Sequence, residues 1–336
     1  MSRCQIPTIS ALALAAVLLV SGCGSGGRGA ALTVYSGQHE QTTAKLVTAF
    51  ERQSGIKVAL RSSDEATLGN QIIQEGENSP ADVFYSGNTP VLEALREKGL
   101  LAPVTTSTLA AVPSRYSSPQ GLWVGVSARV SMLVYNTSAL ATSALPHSIL
   151  ELAAPRWKGK LGFAPSETDF QPTVTAIIKL DGTEAAERWL KGLQANGRVY
   201  PNNETIVNQV DNGESALAPI NNYYWYRLRA EKSSVQSALH RFDPGDPGDL
   251  VNVSGAAVLR SSTHRTAAQA FLAFLVSRTG QELIAHSQSY EYPLRAGIAP
   301  AGGQAPLATL SPAALTPAEL GDGSAALALE QKLGLL

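Results

Sequence analysis

The segment Asn221-Asn222-Tyr223-Tyr224-Trp225-Tyr226 crowds four aromatic rings into a chain that is only 6% aromatic. Taken alone it fits an aromatic core patch, a surface on which a sugar stacks, or a pair of metal-binding phenols. A tyrosine hydroxyl titrates near pH ~10, so it becomes a ligand only beside a cation strong enough to strip its proton. Iron(III) is such a cation, being small, highly charged and partial to hard oxygen donors, as in the tyrosinate-ligated haem iron of catalase. Adjacent tyrosines suit this role where they open a helix or occupy a turn, because both phenols can then reach one point.

A second candidate is His39, within Ser36-Gly37-Gln38-His39-Glu40. It falls where a first strand gives way to a first helix, the usual place for ligand contacts in an open α/β sheet; an ordinary surface histidine is the alternative. His147, His240, His264 and His286 show no partner spacing and read as structural. The only cysteines are Cys4 and Cys23, both near the N-terminus. The rest of the chain therefore offers no disulfide and no thiolate, and a metal would be held by oxygen and imidazole nitrogen.

The elements that must carry these residues alternate between strand and helix signals, the pattern of an α/β fold with a mostly parallel sheet. Leu32–Tyr35 reads as a strand, Glu40–Gln53 as a helix stopped by Gly55, and Ile56, Val58 and Leu60 alternate as the next strand. Leu68–Glu75 reads as a helix, Ala81–Tyr85 as a strand, and Pro90 opens a helix that ends at Gly99. Leu122–Tyr135 and Leu250–Leu259 are extended apolar runs suited to crossing between two domains. They divide the chain into one lobe formed by 31–128 and 251–310 and a second formed by 129–250, with a ligand cleft between them. The Ala/Pro/Gly-rich stretch 296–320 and the rest of the 311–336 tail are expected to pack on a lobe.

Met1–Cys23 has the form of a bacterial lipoprotein signal. Arg3 precedes an apolar run too short to span a bilayer comfortably, and Val20-Ser21-Gly22-Cys23 offers Cys23 for lipidation. Residues 24–30 are a flexible tether; their G-x-G-x-x-G match follows no strand and opens no helix, so it is no dinucleotide site. A net charge of −1 with interspersed signs gives no footprint for nucleic acid. Motifs for zinc proteases, serine hydrolases and P-loop enzymes are missing, which argues against catalysis.

Several blocks together resemble the periplasmic ferric-ion-binding proteins, the bacterial transferrin-like receptors of iron(III) ABC importers. They are VYSGQHEQTT, PADVFY, PRWKGKLGF, INNYYWYRLRAEK, SGAAVL and SYEYPLR, in the same order along nearly the whole chain after the signal. The resemblance implies a type II two-lobed binding-protein fold with two crossing hinge strands. It further implies an ABC permease as partner; with lipidation at Cys23, the chain is expected to be a monomer anchored at the outer face of the cytoplasmic membrane, in a periplasm or on a cell surface. It assigns His39, Tyr223 and Tyr224 as ligands of Fe(3+). Asn203 and Asn221, with Asn88 and Asp169 nearby, are assigned to a bound phosphate or carbonate or to the layer behind the metal. Two positions depart from the pattern. Gly87 stands where relatives place a ligating glutamate, and the turn Ala164–Phe170 carries Glu167 and Asp169 where relatives cradle an anion. Charge balance asks for one carboxylate, which Glu167 or Asp169 could supply; Glu167 is named as the candidate fourth ligand, and a solvated turn whose carboxylates cap the following helix is the alternative. The competing reading is a receptor of the same fold for a sugar, polyamine, thiamine or organophosphonate.

Overall fold

The computed structural model describes residues 32–310 and 315–336; the signal, Cys23 and the tether lie outside them. The chain runs β1 (Leu32–Ser36), α1 (Glu40–Ser54), β2 (Val58–Ser62), α2 (Glu65–Glu75), β3 (Val83–Ser86), α3 (Thr89–Glu97), β4 (Leu101–Ala102), α4 (Thr106–Leu109) and β5 (Val124–Asn136). It continues with β6 (Leu161–Phe163), α5 (Phe170–Asp181), α6 (Thr183–Asn196), β7 (Gly197–Val199), α7 (Asn203–Asp211), β8 (Leu217–Asn221), α8 (Asn222–Glu231) and β9 (Ser237–His240). It closes with β10 (Val251–Leu259), α9 (Arg265–Leu275), α10 (Arg278–Ala285), β11 (Tyr292–Pro293) and α11 (Ser324–Lys332).

The strand order is β2-β1-β3-β10-β5-β8-β6-β7, with β4, β9 and β11 pairing at the flanks. Strands β2, β1 and β3 are mutually parallel, as are β8, β6 and β7. The antiparallel strands β10 and β5 lie between these groups. β5 belongs to both halves. Its residues up to Val130 pair with β10, and those from Ser131 onward pair with β8, so one 13-residue strand, buried throughout, carries the sheet across. Separate apolar cores form on the two sides, one around Phe50, Val83 and Phe271 and the other around Trp157, Phe163 and Trp189.

Most expected elements appear within a residue or two of their predicted limits. α2 differs, beginning at Glu65 because the Asp64 side chain accepts the Thr67 N–H at 2.9 Å and caps the helix early. That earlier start carries Glu65 into the cleft. The C-terminal segment also contains a helix the sequence reading did not anticipate: α11 sends Ala326 and Leu329 into the Trp189 core.

Candidate metal-binding cleft

Four strand-to-helix turns and the middle of β5 converge on a cleft of about 230 Å³. At the β1–α1 turn, His39 is the N-cap residue of α1. Its ring meets the edge of the Tyr223 ring at 5.3 Å between centroids, and Arg227 reaches it from α8 at 3.3 Å. Burial holds the imidazole below its ordinary pKa, opposed by the nearby Glu291 carboxylate. His39 is therefore neutral at pH 7, the form that ligates metals.

At the β8–α8 turn, Asn221 ends the strand and N-caps the helix, placing Tyr223 and Tyr224 in its first turn. Their rings lie 4.0 Å apart between centroids and both are buried. The two hydroxyls converge: Tyr223 donates to Asp169 Oδ2 at 2.9 Å and Tyr224 donates to the same oxygen at 3.1 Å. Burial, with the Asp169 charge beside them, pushes both phenols well above their ordinary pKa, so ionisation requires an incoming cation.

The β6–α5 turn brings both Glu167 and Asp169 to the cleft, but in different circumstances. Asp169 Oδ1 accepts Arg129 Nε at 3.2 Å and Nη2 at 3.1 Å, and although burial opposes its ionisation, the guanidinium and the donated hydroxyls hold its pKa low. Glu167 accepts the Asn203 backbone N–H, at the start of α7, at 3.2 Å. Burial and the charge of Asp169 raise its carboxyl to about 7. Asn203 thus enters through its backbone. Asn221 Oδ1 faces the hinge strands, accepting from Ser131 Oγ at 3.3 Å and Asn252 Nδ2 at 3.2 Å.

The β3–α3 turn supplies Gly87 and Asn88. The space at Gly87 is occupied: a Cβ there would lie 2.9 Å from Glu65 Oε2 and 3.2 Å from the Gly37 carbonyl oxygen. The Glu65 carboxylate is fixed by Ser86 Oγ at 3.0 Å and by the Asn88 N–H and Nδ2 at 2.7 and 2.8 Å. Gly37 permits this approach, since a Cβ on it would fall 2.3 Å from Glu65 Cβ. Asn88 Oδ1 in turn accepts from Arg129.

Sequence reasoning missed Arg129, Glu65, Glu291 and Arg227. A lone arginine inside the apolar run of β5 was a visible signal, because a charge buried in a central strand needs partners. Arg129 finds them in Asp169 and in Glu291, whose Oε1 accepts Nη1 at 3.2 Å. Glu291 also accepts from Gln38 Nε2 at 3.1 Å and Ser127 Oγ at 2.6 Å. Nothing local marks Glu65 or Glu291. Among the described residues no group of three or more His, Asp or Glu could hold a metal, so a metal in this cleft would draw on the phenols.

Two half-sheets joined by a crossing strand, with strand-to-helix turns facing each other across a polar cleft, define a two-lobed solute-binding receptor. The chain belongs to the family described as bacterial extracellular solute-binding protein, which matches residues 78–308. It is 36% identical to the Fe(3+)-binding periplasmic protein of Serratia marcescens over 86% of each chain. It is 41% identical to the major ferric iron-binding protein of Neisseria meningitidis serogroup B, over 83% of this chain and 85% of that one. The crystal structure of iron-bound HitA from Pseudomonas aeruginosa superposes with a TM-score of 0.86 at 46% identity, covering 90% of this chain and 99% of that one. A Trichodesmium protein in complex with iron and citrate gives a TM-score of 0.79 at 29% identity, with 90% and 99% covered. The fold is the type II binding-protein fold of these neighbours.

Proposed function

We propose that this protein captures ferric iron outside the cytoplasm and delivers it to the permease of an ABC importer, without catalysing a reaction. The observation that carries the reading is the convergence of two adjacent phenols on one oxygen, with a neutral imidazole against the edge of one ring. The relatives named for ferric iron support it. In this reading His39, Tyr223 and Tyr224 ligate the ion. Glu167, whose side chain accepts one described hydrogen bond, from the Asn203 N–H, is the carboxylate able to turn toward it as a fourth donor.

Capture replaces two phenol protons by one trivalent cation. A low-dielectric cleft disfavours isolated phenolates, yet a metal at bonding distance reverses that preference. Loading would draw together lobe 1 (31–128 and 251–310) and lobe 2 (129–250) about β5 and β10. Cys23 would carry the lipid that keeps the receptor, as a monomer, at the outer face of the cytoplasmic membrane.

The test is metal analysis with a visible spectrum after exposure to ferric citrate. Tyrosinate bound to iron(III) absorbs visible light, so the protein should colour, and Tyr223→Phe and Tyr224→Phe should each bleach it. Each change should weaken binding by more than the ~100-fold typical for loss of an outer partner. A colourless protein that instead retains a sugar, amine or phosphonate would select the competing reading. Conversion of Cys23 to Ala should move the protein from the membrane fraction to the soluble one.

A further inference from the structure

Asn222 and Tyr226 belong to the aromatic run but do not line the metal-binding cleft. On the ten-residue α8, residues four apart share a face. Tyr223 and Arg227 form the stripe that meets His39. Asn222 and Tyr226 form the neighbouring stripe, and it meets the segment 290–304. There Asn222 Nδ2 donates to Gln304 Oε1, and Gln304 Nε2 donates to the Tyr290 carbonyl at 3.0 Å. The Tyr226 and Tyr290 rings stack, 6.3 Å apart between centroids and inclined by 20°, within the range of attractive aromatic pairs. Gly302 lies against both rings: a Cβ on it would fall 3.0 Å from Tyr226 Cδ1 and 3.2 Å from Tyr290 Cδ1.

This seam joins the two halves of the sheet. α8 follows β8, which pairs with β5 from Ser131 onward, whereas Tyr290 leads into β11, which pairs with Ser127 and Ala128. Asn222 ties the seam to the crossing strand, its Oδ1 accepting the Val130 N–H at 2.8 Å. The ring stack lies one turn of α8 further on. Among the described residues Tyr290 is the one non-glycine with positive φ, at 55°. A tyrosine keeps that left-handed backbone only where its surroundings fix it. Here α8 holds the ring on one side, and on the other the next residue, Glu291, is bound to Arg129.

We propose that Tyr226 and Tyr290 form a latch between the lobes, which favours the closed cleft and sets how fast the cargo leaves. Tyr226 shares α8 with both phenols, so parting the stack carries the phenols away from His39. The link to cargo rests on the ferric reading; the latch itself does not.

Small-angle scattering of the metal-free full chain reads the latch without iron. Tyr226→Ala and Tyr290→Ala remove the same contact from opposite sides, so each should shift the profile toward a more open form. The double variant should open no further than either single one. Tyr226→Phe and Tyr290→Phe keep the stack and should scatter as the parent does. After ferric loading, a competing chelator should strip the visible band at least about tenfold faster from the Ala variants than from the parent. The Phe variants should release at the parent's rate.

A cooperatively melting Ala variant that keeps the parent's metal-free profile would overturn the proposal. So would an opened variant that releases iron no faster than the parent. Where one Ala variant fails to fold, the other decides the same contact from the opposite lobe. If the Ala variants open yet no protein takes iron, the latch stands and the ferric reading falls.

Discussion

Asp169 stands at the N-terminus of α5, and Glu330 comes against the same helix from α11; both are sealed from solvent, at 8% and 0% exposure. Their fates are opposite. Asp169 meets a guanidinium and two hydroxyls and stays ionised, whereas neither oxygen of Glu330 has a hydrogen-bond partner and burial pushes its carboxyl to about 8. Burial alone therefore does not decide the state of a carboxylate. Donors placed in advance keep the charge, and without them the group takes up a proton. Organised donors around Asp169 preserve its charge, while their absence around Glu330 leaves a group tolerated at a cost in stability.

The comparison breaks most readily at Arg129. Arg129→Met would leave Asp169 and Glu291 buried without their cation and should cost about 3–5 kcal/mol in a denaturant titration. A cost under ~1 kcal/mol would mean that the hydroxyls and amides suffice.

Acid should sharpen it next. In the proposed ligand set two phenol protons would leave for each iron bound, so affinity should fall by up to about 100-fold per pH unit on acidification. The lowered pKa of His39 keeps the imidazole available to a pH below the ordinary histidine value, so its own proton competes only beneath that point. Affinity that is flat from about pH 8 to pH 5 would exclude the phenol–imidazole set.

On α11, Glu330→Gln should stabilise the protein. The carboxyl pKa in the folded state lies above its unfolded value, so the native state loses stability as pH rises from about 4.3 toward about 8. Below that window the group is protonated in both states. The gain should therefore approach about 5 kcal/mol at pH 8 and fall to near zero at pH 4, read from melting curves. A gain independent of pH would point to packing instead.

The smallest effect is expected at Gly87. Gly87→Ala puts a methyl against Glu65 Oε2 and the Gly37 carbonyl and should cost about 1 kcal/mol. Trimming Glu65 to Ala in the same chain should remove that increment from a double-mutant cycle. Additive costs would show that Glu65 does not occupy the notch.

What the sequence determined by itself lies within single elements. Alternation marked β1 to β3. The helix stops at Gly55 and Gly99 were legible, since each has positive φ at the end of its helix. The position of His39 at a strand-to-helix turn was readable because such turns are local features, and the tyrosine pair stood out as an aromatic run. The long apolar run of β5 also announced the crossing strand, for only a segment buried on every side needs so few polar residues.

Tertiary structure alone decided which carboxylate serves which donor. Glu167 and Asp169 lie two residues apart and looked interchangeable by charge, yet the phenols turn to Asp169 because Arg129, forty positions earlier in the chain, fixes it there. The notch at Gly87 looked vacant until an early helix cap at Asp64 swung Glu65 into it. Glu291 reaches Arg129 across 162 positions. Spacing along a chain encodes the period of a helix or a strand, but a charge finds its partner through space, and only the completed sheet brings these groups together.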